Sequence, residues 1–324
     1  MTKRITLIAL LMALLLLSGC AATPAAAPEP YEDFIMVGFS QVGAESDWRN
    51  ANTASMTAAL SEENGFRLII DDAQQKQERQ ITAIRNFIHQ GVDYIVLAPT
   101  TEEGWDTVLG EAKAAGIPVI IVDRMIETAD DSLFACWVGS DFRRQGDAIA
   151  AWLHERFGDS PIRIVHLQGN IGSSAQIGRT AGLDAALAAH PAWVLTYRDT
   201  ADFTQAKGQE LTEALLAQDV AFDVVFAEND NMAYGAIDAL RNAGLRPGED
   251  VLVLSVDANR KALEMVMAGE INYDVECNPL HGPRVQALIM QLESGRTPPK
   301  LTFVEESAFD ARTITQEVID GRGY

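Results

Sequence analysis

The sequence predicts an α/β protein with two doubly wound parallel-sheet lobes, because two patterns recur along it. Short, almost continuously apolar runs alternate with longer amphipathic stretches, which is typical of parallel strands covered by helices on both faces. The alternation begins near Phe34 and restarts near Arg163 as a second series of similar size. Two such series predict two lobes, each with its own sheet.

The first series predicts four strands and three helices. In the second of these helices, Ile81, Ile84, Phe87 and Ile88 recur at helical spacing and predict one buried stripe. A glycine follows each helical stretch, as glycines do at C-terminal helix caps. The predicted strands are Ile35–Ser40, Phe66–Asp71, Tyr94–Ala98 and Pro118–Val122, and the predicted helices are Trp48–Asn64, Gln75–Gln90 and Trp105–Ala115.

The second series repeats this arrangement and is followed by three further elements. Its predicted strands are Arg163–Gln168, Trp193–Tyr197, Ala221–Ala227 and Val251–Val256, and its helices are Phe142–Phe157, Ser174–Ala189, Gln205–Ala217 and Asn229–Asn242. A strand at Ile271–Glu276, a helix at Gly282–Ser294 and a final strand at Leu301–Ala308 come after them. A chain that crosses between two lobes more than once would contain such additional elements.

The N-terminus is typical of an exported lipoprotein. Lys3 and Arg4 precede an apolar run from Ile5 to Leu17 that is shorter than the ~20 residues of a membrane-spanning helix. The ending Leu17-Ser18-Gly19-Cys20 resembles a bacterial lipobox, so we expect residues 1–20 to be a lipoprotein signal peptide and Cys20 to be acylated. An ordinary signal peptide with an incidental cysteine is the alternative. The Ala/Pro-rich residues 21–33 predict a spacer, which would hold the folded part away from the membrane.

The net charge restricts the partners. Aspartate and glutamate number 46 against 25 lysines and arginines, which gives a formal charge of −21. Because such a surface repels phosphates, we expect no nucleic-acid partner and a membrane contact only through the lipid anchor.

Polar residues follow the predicted strands in both series. They include carboxylates, amides and arginines, with Trp48 among them. Ligands of open α/β sheets bind outside the carboxyl ends of the strands. Sugars present hydroxyl groups, which carboxylates and arginines bind well, and apolar faces, which an aromatic ring covers. This composition favours a polyol over a fatty acid or an anion.

Each residue also has a structural alternative. Asp123 and Arg124 could form a surface ion pair, and Arg179 could pair with Asp184. Asn229 and Asp257 could each cap a helix, and Trp48 could be a core residue.

The sequence contains none of the common catalytic or metal-binding motifs. No H-E-x-x-H, G-x-S-x-G, P-loop or G-x-G-x-x-G is present, and the histidines are scattered. We therefore expect no enzyme activity, metal or cofactor. The adjacent carboxylates Asp71 and Asp72 would point to opposite faces of a strand, although a tethered glycosidase remains an alternative. Cys136 and Cys277 are interpreted as buried free thiols in apolar strands, with a disulfide as the alternative.

Several segments resemble the periplasmic sugar-binding proteins of ABC transporters, in the ribose/galactose-binding family with the type I fold. These segments are "GVDYIVLAP", "AGIPVIIVDR", "AENDNMAYGAIDAL" and "SVDA". No DNA-binding motif precedes them, unlike in the regulators of related fold. "VGFSQVGAESDWRNA" and "DFTQAKG" resemble the galactofuranose-binding members in particular. By this resemblance, the ligand-binding residues are Glu45, Ser46, Asp47, Trp48, Arg49, Asp123, Arg124, Arg179, Asn229 and Asp257.

Two residues depart from the galactofuranose-binding pattern. Asp47 replaces a glycine, and Gly178 stands where that pattern has an acidic residue. The members' disulfide positions are not matched either. Asp47 would add a carboxylate at the pocket mouth, so these differences bear on the choice of sugar.

The resemblance implies a monomeric substrate-binding protein of an ABC importer, and the lipobox adds the expectation of a lipid anchor, in which the chain differs from freely diffusing members. A monosaccharide, galactofuranose or a related furanose or hexose, would bind between the lobes and be delivered to the permease. The first lobe would comprise residues 34–140 plus 278–304, and the second 141–277 plus 305–324. Their hinge would lie near Ser140-Asp141, Cys277-Asn278 and Val304-Glu305. A sugar or autoinducer sensor that signals to a membrane receptor kinase is the alternative.

Overall fold

The computed structural model describes residues 34–324, and its elements are numbered here in chain order. They are β1 (Ile35–Gln41), α1 (Asp47–Ala59), β2 (Phe66–Asp72), α2 (Gln77–Gln90), β3 (Tyr94–Leu97), α3 (Asp106–Ala114), β4 (Val119–Val122), β5 (Cys136–Gly139), α4 (Phe142–Phe157), β6 (Ile162–Gln168), α5 (Ser174–Ala189), β7 (Trp193–Thr200), α6 (Gln205–Ala217), β8 (Val224–Ala227), α7 (Asp230–Asn242), β9 (Leu252–Asp257), α8 (Arg260–Ala268), β10 (Tyr273–Glu276), α9 (Gly282–Glu293), β11 (Leu301–Phe303), β12 (Ala308–Phe309) and α10 (Gln316–Gly321).

The strands form two six-stranded sheets with the same strand order. The first sheet runs β11-β5-β4-β3-β1-β2 and is parallel throughout. The second runs β12-β10-β9-β8-β6-β7 and is parallel except at β12, which pairs antiparallel with β10. The predicted fold class, with two parallel-sheet α/β lobes, is therefore confirmed.

The central strands are buried on both faces, which explains why their sequences are almost continuously apolar. In β3, Ile95 and Leu97 pack into one hydrophobic cluster of the first lobe, whereas Val96 packs into the other. Ile120 and Ile121 of β4 divide between the same two clusters. Successive side chains of a strand point to opposite faces, so each short run contributes to two layers of helix packing.

The chain passes between the sheets three times. It leaves the first sheet after β5, leaves the second after β10 to form α9 against α1, and leaves the first again between β11 and β12. We call residues 140–141, 277–281 and 304–307 the first, second and third crossings. The predicted final strand Leu301–Ala308 is wrong in this respect, because its ends belong to different sheets.

Three smaller details also differ from the sequence analysis. β5 received no bounds in the sequence analysis, although Cys136, its first residue, was placed in an apolar strand. Cys136 and Cys277 are buried and not disulfide-bonded, but Cys277 lies in the second crossing instead of a strand. The helix before Gly65 ends at Ala59, and a short 3₁₀ turn at Glu62–Asn64 follows it.

The predicted signal peptide, the acylated Cys20 and the spacer lie outside the described residues. Within residues 34–324, no helix has the length and apolar character needed to cross a membrane.

Candidate ligand-binding site

A small cavity lies between the carboxyl ends of the two sheets, and the centres of water-sized spheres can occupy about 30 Å³ of it. Nine of the ten predicted ligand-binding residues line it, and Asp47 does not. The lining residues are Glu45, Ser46, Trp48, Arg49, Asp123, Arg124, Phe142, Ala175, Arg179, Phe203, Asn229, Asp257 and Cys277.

The first-lobe wall contains a buried ion cluster around Arg49. Its Nη1 donates to Asp123 Oδ2 at 2.9 Å and its Nε donates to Glu45 Oε1 at 3.3 Å. Burial lowers the pKa of the Arg49 guanidinium, but the carboxylates of Asp123 and Glu45 outweigh it, so the pKa is raised. The surface ion pair considered for Asp123 and Arg124 is not formed, because both residues are buried and Asp123 accepts from Arg49 instead.

Trp48 is held by the second crossing. Its indole Nε1 donates to the backbone carbonyl of Cys277 at 2.7 Å, and the Arg49 guanidinium lies 4.6 Å from its ring centroid. The ring is 5% exposed, so it is both a core residue and part of the cavity wall. Ser46 caps α1 by accepting from the backbone N–H of Arg49 at 3.2 Å, and this contact sets where the helix begins.

Arg124 is a buried cation beside other cations. Its Nη1 donates to the carbonyl of Thr100 at 3.3 Å, and its guanidinium lies 5.2 Å from the ring centroid of Phe203. Burial, together with the positive charge of Arg49, lowers its pKa to about 10. Even so, Arg124 is positively charged at neutral pH and offers N–H donors to an electronegative ligand atom.

In the second lobe, Arg179 points away from solvent. Its Nε donates to Gln145 Oε1 at 2.9 Å, and Nη1 donates to the backbone carbonyl of Glu228. The alternative pair with Asp184 is absent, because Asp184 accepts from Arg198 instead. A guanidinium has five N–H donors, so further donors of Arg179 remain for the cavity.

Asn229 serves as the cap of α7 as well as a wall residue. Its Oδ1 accepts from the backbone N–H of Met232 at 2.9 Å, and its Nδ2 donates to the carbonyl of Phe203 at 3.1 Å. The cap considered for Asp257 is wrong, because Asn259 caps α8.

Two carboxylate oxygens of the wall have no hydrogen-bond donor among the described residues. They are Glu45 Oε2 and Asp257 Oδ2, and both are buried. An unsatisfied buried acceptor costs roughly 1–3 kcal/mol. Burial, together with the nearby Asp230, raises the pKa of Asp257. Both residues could therefore accept hydroxyl hydrogens from a ligand.

Asp123 and Asp257 occupy equivalent places in the two lobes. Asp123 follows β4 and Asp257 ends β9, and these two strands occupy the same position in the two sheet orders. Both residues have a positive φ, which is 64° for Asp123 and 130° for Asp257. Such backbone conformations are uncommon for residues other than glycine and occur often at binding sites. The two lobes thus present matching carboxylates to the cavity.

Asp47 lies outside the cavity lining and bridges the lobes. Its backbone N–H donates to Asn231 Oδ1 at 3.0 Å, and its Oδ2 accepts from Asn231 Nδ2 at 3.2 Å. The side chain is exposed. The carboxylate that the sequence analysis expected at the pocket mouth is instead paired with Asn231 of α7.

The sequence analysis missed four lining residues, namely Phe142, Ala175, Phe203 and Cys277. Phe203 lies in a turn after β7 with φ of 60°, and its ring fills the space above Gly169, where an added Cβ would lie 1.8 Å from the ring. Its segment, "DFTQAKG", was singled out for its resemblance, so Phe203 was within reach of sequence reasoning. Cys277 directly follows β10 and fits the strand-end rule.

The sequence of this chain is similar to those of known proteins. The model of the periplasmic binding protein domain matches residues 37–280. The galactofuranose-binding protein YtfQ of Escherichia coli is 40% identical over 288 residues, which cover 88% of this chain and 90% of that protein.

Two solved structures have the same fold. A Mycobacterium smegmatis protein in complex with β-D-fucofuranose superposes with a TM-score of 0.85 at 39% identity, covering 90% of this chain and 95% of that one. The binding protein of the arabinose transporter from Shewanella sp. ANA-3, bound to α- and β-L-arabinofuranose, gives 0.84 at 40% identity, with coverage of 89% and 95%. The chain therefore belongs to the periplasmic binding protein family.

Proposed function

We propose that this chain captures a furanose sugar in the cavity between its lobes and delivers it to the permease of an ABC importer. Galactofuranose or a related furanose fits best, because the relatives described above carry galactofuranose, fucofuranose and arabinofuranose in their names. The observation that carries the proposal is the wall itself. It combines buried carboxylate oxygens without donors among the described residues, buried arginines and aromatic rings around one cavity.

In this proposal, residues of both lobes bind the sugar together. Glu45, Asp123 and Arg124 act from the first lobe, and Arg179 and Asp257 act from the second. Trp48 and Phe203 cover the apolar faces of the ring. Because only the closed form brings both walls to the ligand, binding shifts the population toward closure.

The lobes are proposed as residues 34–140 plus 278–304 and residues 141–277 plus 305–324. The three crossings then form the hinge. The same proposal includes export, anchoring by an acylated Cys20, and action as a monomer whose closed form docks on the permease.

A thermal-shift screen of the full-length chain in detergent tests this proposal. The panel contains D-galactose, D-fucose, L-arabinose, D-ribose and myo-inositol, each at several concentrations. A ligand that binds only the folded state raises the Tm, and above the Kd the increase grows with the logarithm of the ligand concentration. We expect a shift with the sugars that form galacto-configured or arabino-configured furanoses and a smaller one with myo-inositol. A panel without any shift would contradict the proposed function.

A further inference from the structure

One carboxylate contacts all three crossings. Glu306 lies on the third crossing, and its Oε1 accepts from Ser140 Oγ of the first at 2.6 Å. The same oxygen accepts from the backbone N–H of Asn278 on the second crossing at 2.7 Å. Its Oε2 accepts from Gln145 Nε2 at 2.9 Å. Charged acceptors form the stronger protein hydrogen bonds, so this group links the three segments effectively.

Gln145 connects this carboxylate to the cavity. Its Nε2 faces two acceptors, Glu306 Oε2 and the carbonyl of Glu276 at 3.1 Å, so the orientation of its amide is determined. Its Oε1 therefore faces Arg179 and accepts from Nε at 2.9 Å. Gln145 is buried, with 3% of its surface exposed, and it is not among the residues that line the cavity.

Close helix packing brings these groups together. An added Cβ at Gly146 would lie 2.4 Å from the carbonyl oxygen of Arg179, and one at Gly182 would lie 2.3 Å from the backbone of Gly146. Only glycine allows α4 and α5 to approach this closely, and Gln145 thereby reaches Arg179. Gly178 contributes in the same way, since its Cβ would lie 2.7 Å from Cβ of Phe142.

We propose that Glu306 is a positioning residue, which ties the three crossings together and, through Gln145, orients Arg179 toward the ligand. The argument for Arg179 as a ligand contact rests on the proposed function. Glu306 itself does not line the cavity, so its effect on binding would be indirect. Loss of its charge would loosen the crossings and leave the Gln145 amide without its stronger acceptor.

The test compares Glu306→Gln with Glu305→Gln in the full chain. Glu305 is the next residue, is exposed, and has no side-chain hydrogen bond among the described residues, so it controls for the loss of one charge. Hydrogen exchange without sugar is measured over residues 276–281. Calorimetry then gives the Kd for D-galactose and L-arabinose. For Glu306→Gln we expect faster exchange of this segment and about tenfold weaker sugar binding, whereas Glu305→Gln should behave as the unmutated chain.

A double variant distinguishes positioning from a general structural role. In Glu306→Gln combined with Gln145→Glu, the new amide of residue 306 donates to the new carboxylate of residue 145, which still accepts from Arg179, while the carbonyl of Glu276 loses its donor. We expect this exchange of groups to recover part of the lost affinity, whereas a merely structural role would make the two losses add.

The possible results separate the two proposals. If the unmutated chain binds neither sugar, the proposed function fails, and the exchange comparison alone still decides whether Glu306 ties the crossings. If Glu306→Gln exchanges and binds like Glu305→Gln, the assignment of Glu306 is overturned while the proposed function stands.

Discussion

Asp47 and Asn231 join the two lobes by two hydrogen bonds on one side of the cavity. The backbone N–H of Asp47 donates to Asn231 Oδ1 at 3.0 Å, and Asn231 Nδ2 donates to Asp47 Oδ2 at 3.2 Å. Asp47 belongs to the first turn of α1 and Asn231 to the first turn of α7. The pair therefore exists only where these two helix ends meet.

We predict that Asp47→Gly speeds sugar dissociation about three- to tenfold with little change in unfolding. The reason is that one cross-lobe hydrogen bond to a charged group, worth ~1.5 kcal/mol or somewhat less at an exposed site, is lost from the closed form alone. Stopped-flow fluorescence with D-galactose measures the rate. Asn50→Ala, an exposed change on the same helix, is the control. Equal dissociation rates in the two variants would contradict a closing role for this pair.

Asp257→Asn should weaken sugar binding about 10- to 100-fold. The variant keeps the size of the side chain but replaces one buried acceptor oxygen with an N–H₂ donor, and a ligand hydroxyl left without its partner costs ~1–3 kcal/mol. Calorimetry measures the change in Kd. Asp219→Asn removes an exposed carboxylate from the same lobe, and its φ of 53° tolerates asparagine, so it serves as the matched control. An unchanged Kd in Asp257→Asn would remove Asp257 from the site.

Asp230→Asn should flatten the dependence of stability on pH. Burial raises the pKa of Asp230 from 3.8 to about 7, although Ser255 Oγ and the Asn259 backbone N–H donate to it. Between these values the native state holds a proton that the unfolded chain has lost. The stabilisation is therefore complete below pH 3.8 and disappears as the pH rises through about 7, by up to ~1.4 kcal/mol per pH unit.

Urea unfolding of both chains at pH values between 4.5 and 8 measures this effect. The unmutated chain should lose stability more steeply with rising pH than Asp230→Asn. Parallel curves would show that Asp230 is ionised throughout this range.

Arg49→Met should cost about 3–5 kcal/mol of unfolding free energy, because it leaves the carboxylates of Glu45 and Asp123 buried without their cation. Arg67→Met breaks an exposed ion pair with Glu62 and should cost at most ~1 kcal/mol. Chemical unfolding followed by circular dichroism compares the two variants. A similar small loss in both would mean that the Arg49 cluster is effectively solvated.

Much of this fold follows from local sequence patterns. Helices α4, α5 and α6 have the bounds predicted from the sequence, because apolar periodicity and caps coincide there. The division of Leu301–Ala308 between two sheets could not be predicted, since two short strands and the crossing between them look like one extended run. The lobe boundaries stay a prediction.

The sequence predicted those site residues that lie at the carboxyl ends of strands. Asp123, Asn229 and Asp257 follow or end strands and meet in one cavity, as that rule requires. The pairing of Asp47 with Asn231 was not predictable, because it depends on how the two lobes face each other. The contacts of Glu306 depend in the same way on three chain crossings that are distant in sequence.

A crystal structure of the chain grown with D-galactose tests the central claim most directly. Solutions of this sugar contain its five-membered ring forms in equilibrium with the six-membered ones, so the protein itself selects the ring. We predict a five-membered ring between the lobes, with Asp257 and Glu45 accepting from its hydroxyl groups and Arg179 donating to it. A six-membered ring in the same place, or a sugar bound elsewhere on the surface, would contradict the account.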